Sequence, residues 1–232
     1  MDEVDKIIAR AKQGDADAQY GLAKMYYKGD GVEKDNQEAA RWIRKSAEQG
    51  YAPAQFNLGL MYYFGDGVEQ DEQEAAKWYR KAAEQGFAEA QNNLGLMSYK
   101  GDGVEQDNQE AAKWYRKAAE QGYAVAQSNL GGMYRYGLSI ERDEREAAKW
   151  SRKAAEQGDA RAQYRLGWMY YLGMGVEKKY KEAYIWLSLA VVFGNDKAKE
   201  ARDLVAKELS KGEIGRAKNI AKRRQAEIEA IE

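Results

Sequence analysis

The chain has 232 residues, of which 44% are hydrophobic and 32% charged, so it can bury a core in one large or two small domains. Its 37 Lys and Arg nearly cancel its 38 Asp and Glu, and a net charge of -1 gives no electrostatic reason to expect nucleic acid or an anionic membrane as partner. The lack of histidine and cysteine excludes His/Cys zinc sites, Ser-His-Asp and Cys-His catalysis, redox CxxC motifs and disulfides.

Residues 1–13 are predicted to form an N-terminal capping helix. Their apolar residues recur at helical spacing on one face: Val4, Ile7, Ile8 and Ala11. Such a helix has no partner of its own and can cover the apolar side of the segment that follows it.

Residues 14–193 repeat with a period of 36 residues, without insertion or deletion. The register is set by glycines at one position and by five tryptophans at another: Trp42, Trp78, Trp114, Trp150 and Trp186. The predicted units are 14–49, 50–85, 86–121, 122–157 and 158–193.

Each unit is predicted to contain two helices. In the first helix of the second unit, Ala54, Leu58 and Met61 form an apolar stripe, and a Gly-Asp-Gly-Val loop ends the helix. The second helix begins at an Asp followed three residues later by Glu, which resembles a capping box. Gly137 to Ile140 departs from the loop pattern, so a loop of different shape is expected there.

One unit of this size cannot bury its apolar faces alone, and stacking on its neighbours completes the core. The predicted fold is therefore all-α, an α-solenoid of antiparallel helix pairs. The fifth unit replaces polar repeat residues with Leu189, Val192 and Phe193, so residues 194–232 are predicted to form C-terminal capping helices that cover this surface.

The unit Ala-Gln-x-x-Leu-Gly-x-Met-Tyr-x-x-Gly-x-Gly-Val, continued by Asp-x-x-Glu-Ala-Ala-x-Trp-Tyr, occurs within residues 54–86 and resembles the Sel-one-like repeat family. This family is related to the tetratricopeptide repeats. The resemblance covers residues 14–193. It implies a right-handed superhelix, a concave groove lined by first helices, and use as an adaptor that binds other proteins.

The candidate binding residues lie on the first helices. The second and third units differ at six of 36 positions, and five of these fall in the first helix or the turn before it. At about 100° per residue, the positions that lie opposite the core stripe form one helix face. The predicted groove residues on this face are Asn57, Asn93, Asn129, Arg165, Lys24, Lys28, Leu60, Phe64, Lys100, Tyr136 and Trp168.

These side chains suit a protein or an extended peptide. The three asparagines offer donors and acceptors to a peptide backbone, as groove asparagines do in the related tetratricopeptide clamps, Arg165 and the lysines can hold carboxylates, and the aromatic rings can pack apolar side chains. The alternative explanation is that asparagine is merely a polar residue tolerated at an exposed position of a helix. Immunity or inhibition of one toxic enzyme, and self-association, are the alternative functions.

No catalytic, cofactor or metal site is predicted. The chain has no Ser-x-x-Lys motif, so a β-lactamase-like role is not expected, and its carboxylates recur as caps rather than as one pair. The acidic start and the absence of a long apolar run predict a soluble, cytoplasmic protein, or a periplasmic or secreted one if a leader was removed. The resemblance to the Sel-one-like repeat family implies a bacterial protein.

Overall fold

The computed structural model describes residues 3–230, which form thirteen α-helices and no strand. The predicted all-α class and the repeated helix pairs are confirmed. Met1, Asp2, Ile231 and Glu232 belong to the predicted end segments 1–13 and 194–232 but lie outside the described residues.

The helices follow one another with short connections. They are α1 Glu3–Lys12, α2 Ala16–Lys28, α3 Asn36–Glu48, α4 Ala52–Phe64, α5 Glu72–Glu84, α6 Ala88–Lys100, α7 Asn108–Glu120, α8 Ala124–Tyr136, α9 Glu144–Ala155, α10 Ala160–Leu172, α11 Tyr180–Val192, α12 Ala198–Ala206 and α13 Lys211–Glu229. Even-numbered helices from α2 to α10 are the first helices of the repeats, and the odd-numbered helices from α3 to α11 are the second.

The chain divides into two compact units, Met1–Ala118 and Ala119–Glu232. In the first, α1 packs on α2, and α2 to α6 pack each on the next. In the second, α8 to α11 do the same, and α12 and α13 both pack on α11. Each unit therefore builds its core from contacts between helices that are close in sequence.

The predicted core series lie inside these units. All five repeat tryptophans are buried, with at most 9% of their surface exposed, and so are the apolar residues Leu58, Leu94, Leu130 and Leu166 of the first helices. Met61, Met97, Met133 and Met169 are buried too, whereas Met25 is only partly buried. The tryptophans and methionines thus fill the volume between helices whose contact positions are mostly alanine.

A buried glutamine, not singled out by the sequence reasoning, joins each first helix to the preceding helix. In the second repeat, Gln55 Nε2 donates to the carbonyl of Ala47 at 3.1 Å, and Gln85 Nε2 donates to Gln55 Oε1 at 2.7 Å. The corresponding glutamines Gln19, Gln91, Gln127 and Gln163 make the same bond to a backbone carbonyl. The Gln of the Ala-Gln motif is therefore a structural connector.

First helices end as predicted, at a glycine in the left-handed region. Gly65 has φ 73°, and its N–H donates to the carbonyl of Met61. The loop at 137–140 was expected to differ, and this expectation is wrong. Gly137 has φ 65° and bonds to Met133 in the same way, and Ser139 adopts φ 56° at the position of the second glycine. Ser139 thus adopts a left-handed conformation that a residue with a Cβ does not favour.

The second helices begin at the predicted Asp residues, but the capping box is only half formed. Asp71 Oδ1 accepts from the N–H of Glu74 at 2.9 Å, whereas the Glu74 carboxylate forms an ion pair with Lys77. The N–H of Asp71 already donates to the carbonyl of Tyr62 at 2.9 Å. The reciprocal bond from Glu is therefore not needed, because the first helix supplies the acceptor.

Candidate functional site

Five predicted groove residues line one cavity of about 350 Å³ in the first compact unit: Lys24, Lys28, Asn57, Leu60 and Phe64. The cavity lies along the first helices α2 and α4, and its other lining residues are Tyr20, Tyr27, Ile43, Met61 and Asp66. We call it the aromatic pocket. The repeat register brings residues from successive units to one place because equivalent positions of α2 and α4 face the same way.

Aromatic rings and the ammonium groups of Lys24 and Lys28 line this pocket, so its surface is both apolar and positively charged. Phe64 is 70% exposed, and its ring meets Tyr63 edge-on at a centroid distance of 5.1 Å. Lys24 Nζ lies 5.5 Å from the centroid of the Tyr20 ring. A large apolar ring that remains exposed beside a cavity is typical of a site that a partner covers.

Asp66 fixes one wall of the aromatic pocket. Tyr27 donates its hydroxyl proton to Asp66 Oδ2 at 2.8 Å, and Asn36 Nδ2 donates to Asp66 Oδ1 at 2.6 Å. The hydrogen bond to this carboxylate raises the pKa of Tyr27, and burial raises the pKa of Tyr20. Both phenols therefore stay neutral, and they can serve a ligand as hydrogen-bonding and apolar surface.

Two of the three predicted asparagines, Asn57 and Asn93, are already hydrogen-bonded within the chain. Asn57 Nδ2 donates to Tyr20 Oη at 3.1 Å and to the carbonyl of Pro53 at 2.8 Å. The Asn93 side chain is hydrogen-bonded to Tyr79, whose pKa is raised mainly by burial. Asn129 is partly buried on α8. Since both protons of Asn57 Nδ2 point to protein oxygens, Oδ1 is the atom that can accept a bond from a ligand.

Two other predicted residues, Tyr136 and Arg165, line a different cavity in the second compact unit. This cavity measures about 460 Å³ and is also lined by Arg135, Arg161, Tyr164 and the segment 194–197, which includes Lys197. We call it the basic pocket. Tyr136 is 64% exposed at its edge.

Arg165 extends from α10 toward α8. Its Nη1 donates to the carbonyl of Ser128 at 2.7 Å and lies 3.4 Å from Ser151 Oγ. Burial lowers the pKa of Arg165, Asp159 opposes this shift, and the positive charges of Arg135 and Arg161 add to it, so that the pKa is about 10. The guanidinium remains charged at neutral pH, in surroundings that hold more positive than negative charge.

Lys100 and Trp168 lie in neither pocket. Lys100 Nζ is 3.6 Å from Asp102 Oδ2 at the end of α6. Trp168 packs edge-on against Tyr171, with ring centroids 5.5 Å apart, and is half-buried. The structure therefore places the eleven predicted residues at several points of the first-helix faces, with two clusters.

Sequence reasoning missed several lining residues. Tyr27 and Asp66 recur as repeat residues and carried no signal that set them apart, whereas Tyr20 stands at a position that varies between the units. Arg135 did carry such a signal, because it interrupts a series of tyrosines, whereas Arg161 stands at a position that differs in every unit.

Two general features bear on the kind of site. Between residues 3 and 230, no three acidic side chains come close enough together to hold a metal ion. Over the same residues, none of the helices has the length and apolarity required to cross a bilayer.

These features define a class, a repeat solenoid of helix pairs with pockets on its first helices. The Sel1 repeat family profile matches residues 16–51, 52–87, 88–123, 124–159 and 160–191. The chain belongs to the Sel1 repeat family. The matched repeats begin two residues after the units counted from glycine.

Solved structures share this fold. The protective antigen c5321 of uropathogenic Escherichia coli is 38% identical with a TM-score of 0.86, and the match covers 96% of this chain and 48% of that one. A Sel1 repeat protein from Oxalobacter formigenes is 36% identical with a TM-score of 0.79, covering 91% and 89%. Immunity protein Pa5087 from Pseudomonas aeruginosa is 25% identical with a TM-score of 0.51, covering 91% and 82%.

The chain spans about half the length of c5321. A sel1-like repeat-containing protein of Acanthamoeba polyphaga mimivirus, L18, is 46% identical over 43 residues, which are 18% of this chain and 7% of that protein. The matches thus cover less than half of c5321 and a small part of L18.

Proposed function

We propose that this chain is a non-enzymatic scaffold that binds a protein or an extended peptide along the faces of its first helices. The observation that carries the proposal is the aromatic pocket, where the exposed ring of Phe64 borders a cavity of about 350 Å³. Burial of such a ring by a partner contributes more to affinity than most polar surface contacts do.

The lining of the aromatic pocket suggests how a peptide is held. An apolar side chain of the peptide packs against Phe64 and Leu60, and a backbone N–H donates to Asn57 Oδ1. The ammonium groups of Lys24 and Lys28 face the same cavity and attract a carboxylate next to that anchor. Asn93 and Lys100 in the first compact unit, and Asn129 and Trp168 in the second, remain part of the proposed binding faces.

The test is a peptide selection on the immobilised wild-type protein, followed by affinity measurement with single variants. Phe64→Ala is expected to weaken the selected peptides about tenfold or more, which corresponds to about 1.4 kcal/mol. Val192→Ala is the matched control, because Val192 is an exposed apolar residue on α11, 54% exposed, and lies outside the pocket. Equal affinity of both variants would contradict the proposal.

An immunity role is the second candidate, favoured by the similarity to Pa5087 over 91% of this chain. In that role the partner is one folded enzyme rather than a set of peptides. A selection that yields no peptide, together with stoichiometric retention of a single folded enzyme whose activity falls on binding, would favour it.

The molecular mass in solution distinguishes self-association from binding of other proteins. Light scattering over a range of concentrations reports a monomer if the first-helix faces serve other proteins. A stable dimer that Phe64→Ala dissociates would instead make the same surface a contact between copies of this chain.

A further inference from the structure

Three arginines of the second compact unit occupy repeat positions that hold other residues elsewhere. Arg135 stands at a position otherwise filled by Tyr27, Tyr63, Tyr99 and Tyr171. Arg165 stands where the other repeats have Gly21, Asn57, Asn93 and Asn129. Arg161 stands where they have Asp17, Pro53, Glu89 and Val125. Packing of the repeat does not require arginine at any of these positions, since the other repeats fold without it.

The three substitutions meet at one place. Arg135 on α8 and Arg161 and Arg165 on α10 all line the basic pocket, and Lys197 adds a fourth positive charge from the segment before α12. Arg161 and Arg165 lie one turn apart near the start of α10, whereas Arg135 lies near the end of α8 in the preceding repeat. Their convergence in one cavity of about 460 Å³ is a property of the fold that no single stretch of sequence displays.

Two small residues make room for this arrangement. Ser151 replaces the Tyr79 and Tyr115 of other repeats, and Arg165 Nη1 lies 3.4 Å from its Oγ. Gly132 replaces the leucines of the second and third repeats, and a Cβ there would lie only 3.3 Å from Arg165 Nη2. The guanidinium of Arg165 therefore occupies space that larger side chains fill in other repeats.

The carboxylates nearby do not balance the four positive charges. Asp196 is the acidic residue among those that line the pocket. Asp159 caps α10, where its Oδ1 accepts from the N–H of Ala162 at 2.7 Å and from Ser128 Oγ at 2.9 Å, and its Oδ2 lies 3.6 Å from Arg161 Nη2. A ligand carboxylate would meet an excess of guanidinium donors in a partly enclosed site.

We propose that the basic pocket binds the carboxylate of an acidic peptide, with the rings of Tyr136 and Tyr164 packing beside it. The proposal rests on the proposed function, since it names the chemistry of the partner where the chain meets it in the second unit. A nucleic acid fits less well, because the net charge of the whole chain is -1 and phosphate backbones are bound by broadly basic surfaces.

The experiment is an NMR titration that follows the arginine Nε–Hε resonances of the intact protein. One probe is acetyl-Glu-Glu-Tyr-Glu-amide, which carries side-chain carboxylates only. A second probe is acetyl-Ala-Ala-Tyr-Ala with a free C-terminus, and inorganic phosphate is the third. The two peptides distinguish a side-chain carboxylate from a C-terminal one, and at least one of them is expected to bind.

Variants locate the binding. Arg161→Gln and Arg135→Gln are each expected to lower the affinity of the bound peptide about fivefold to tenfold through loss of a charge-assisted bond. Arg142→Gln is the matched control, because Arg142 is an exposed arginine of the same unit that pairs with Glu144 outside the pocket. These exposed or partly exposed sites avoid the folding defect that replacement of Arg165 could cause.

Three results would overturn the inference: no shift with either peptide, equal effects of all three arginine variants, or binding of phosphate alone. Loss of peptide binding in Phe64→Ala but not in Arg161→Gln would place the acidic peptide in the aromatic pocket, so the inference would fail and the proposed function would stand. Failure of the peptide selection itself would instead remove the proposed function.

Discussion

The guanidinium of Arg224 lies over the indole ring of Trp186, with Cζ 5.0 Å from the ring centroid. Its Nη1 also donates to Glu182 Oε2 at 3.0 Å. In the other repeats a lysine three residues after the tryptophan takes this place, such as Lys81 over Trp78 at 3.8 Å. The fifth repeat has Leu189 there, so α13 supplies the cation that α11 lacks.

Arg224→Ala is expected to destabilise the docking of α13 by about 1 to 2 kcal/mol, from loss of the cation–π contact and of a partly buried ion pair. Hydrogen exchange of α13 amides and the urea midpoint measure the effect. Arg223→Ala is the control, because Arg223 is 73% exposed and lies 3.8 Å from Glu227. Similar losses in both variants would show that Trp186 is not the relevant partner.

Ser139→Gly is expected to stabilise the protein by about 0.5 to 1 kcal/mol, because a serine held in the left-handed region costs free energy that glycine does not. The strain is local, since Ser139 has φ 56° and the first helix before it keeps its usual end. Thermal and urea unfolding measure the gain. Glu141→Gly in the same loop is the control and should give no such gain, and an unchanged midpoint for Ser139→Gly would refute the prediction.

Gly175→Ala should be much more harmful than Gly122→Ala. Both glycines have positive φ, 66° and 96°, so both variants pay about 1 kcal/mol of backbone strain. A Cβ at Gly175 would also overlap the carbonyl oxygen of Glu144, whereas at Gly122 it would meet nothing within 4 Å. The expected total for Gly175→Ala is about 3 kcal/mol, measured by urea unfolding. Equal losses of unfolding free energy in the two variants would contradict the prediction, because they would mean that the loop at Gly175 moves to accommodate the Cβ.

The capping box of α13 predicts a pH effect. The hydrogen bond from Ser210 Oγ, followed by that from the Ser210 N–H, lowers the pKa of Glu213 below its ordinary value of 4.5. A lowered carboxyl pKa means that this contribution to stability is present above the ordinary value and is lost as pH falls through the lowered one. Ser210→Ala should raise the pKa of Glu213 in an NMR titration, and Ser210→Thr should not. An unchanged pKa in Ser210→Ala would contradict this.

The repeat register was enough to predict the helices, their glycine ends and their Asp caps. It was not enough to predict which group the Glu74 carboxylate contacts. That contact depends on the carbonyl of Tyr62, which the fold brings to the N–H of Asp71. The same limit applies to Asn57 and Asn93. Their helix face was predictable, but their hydrogen bonds to Tyr20 and Tyr79 depend on distances between helices.

The two pockets mark a different limit. Lys24, Lys28, Asn57, Leu60 and Phe64 share the aromatic pocket because they lie on one face of two successive first helices. The basic pocket required residues from off that face, Arg135 and Lys197 among them. Comparison of each unit with its neighbours would have singled out the arginines, whereas their meeting point follows only from packing.

Gln163 differs from the other buried glutamines in one respect. Its Oε1 has no hydrogen-bond partner within residues 3–230, because Phe193 stands where Gln49, Gln85, Gln121 and Gln157 occur. Phe193 and Leu189 instead face the apolar cluster shared with α12 and α13. The fifth repeat therefore lacks the glutamine that joins each of the other repeats to its own first helix. A new repeat could be inserted between internal units, whose joining residues match, but not directly after this one.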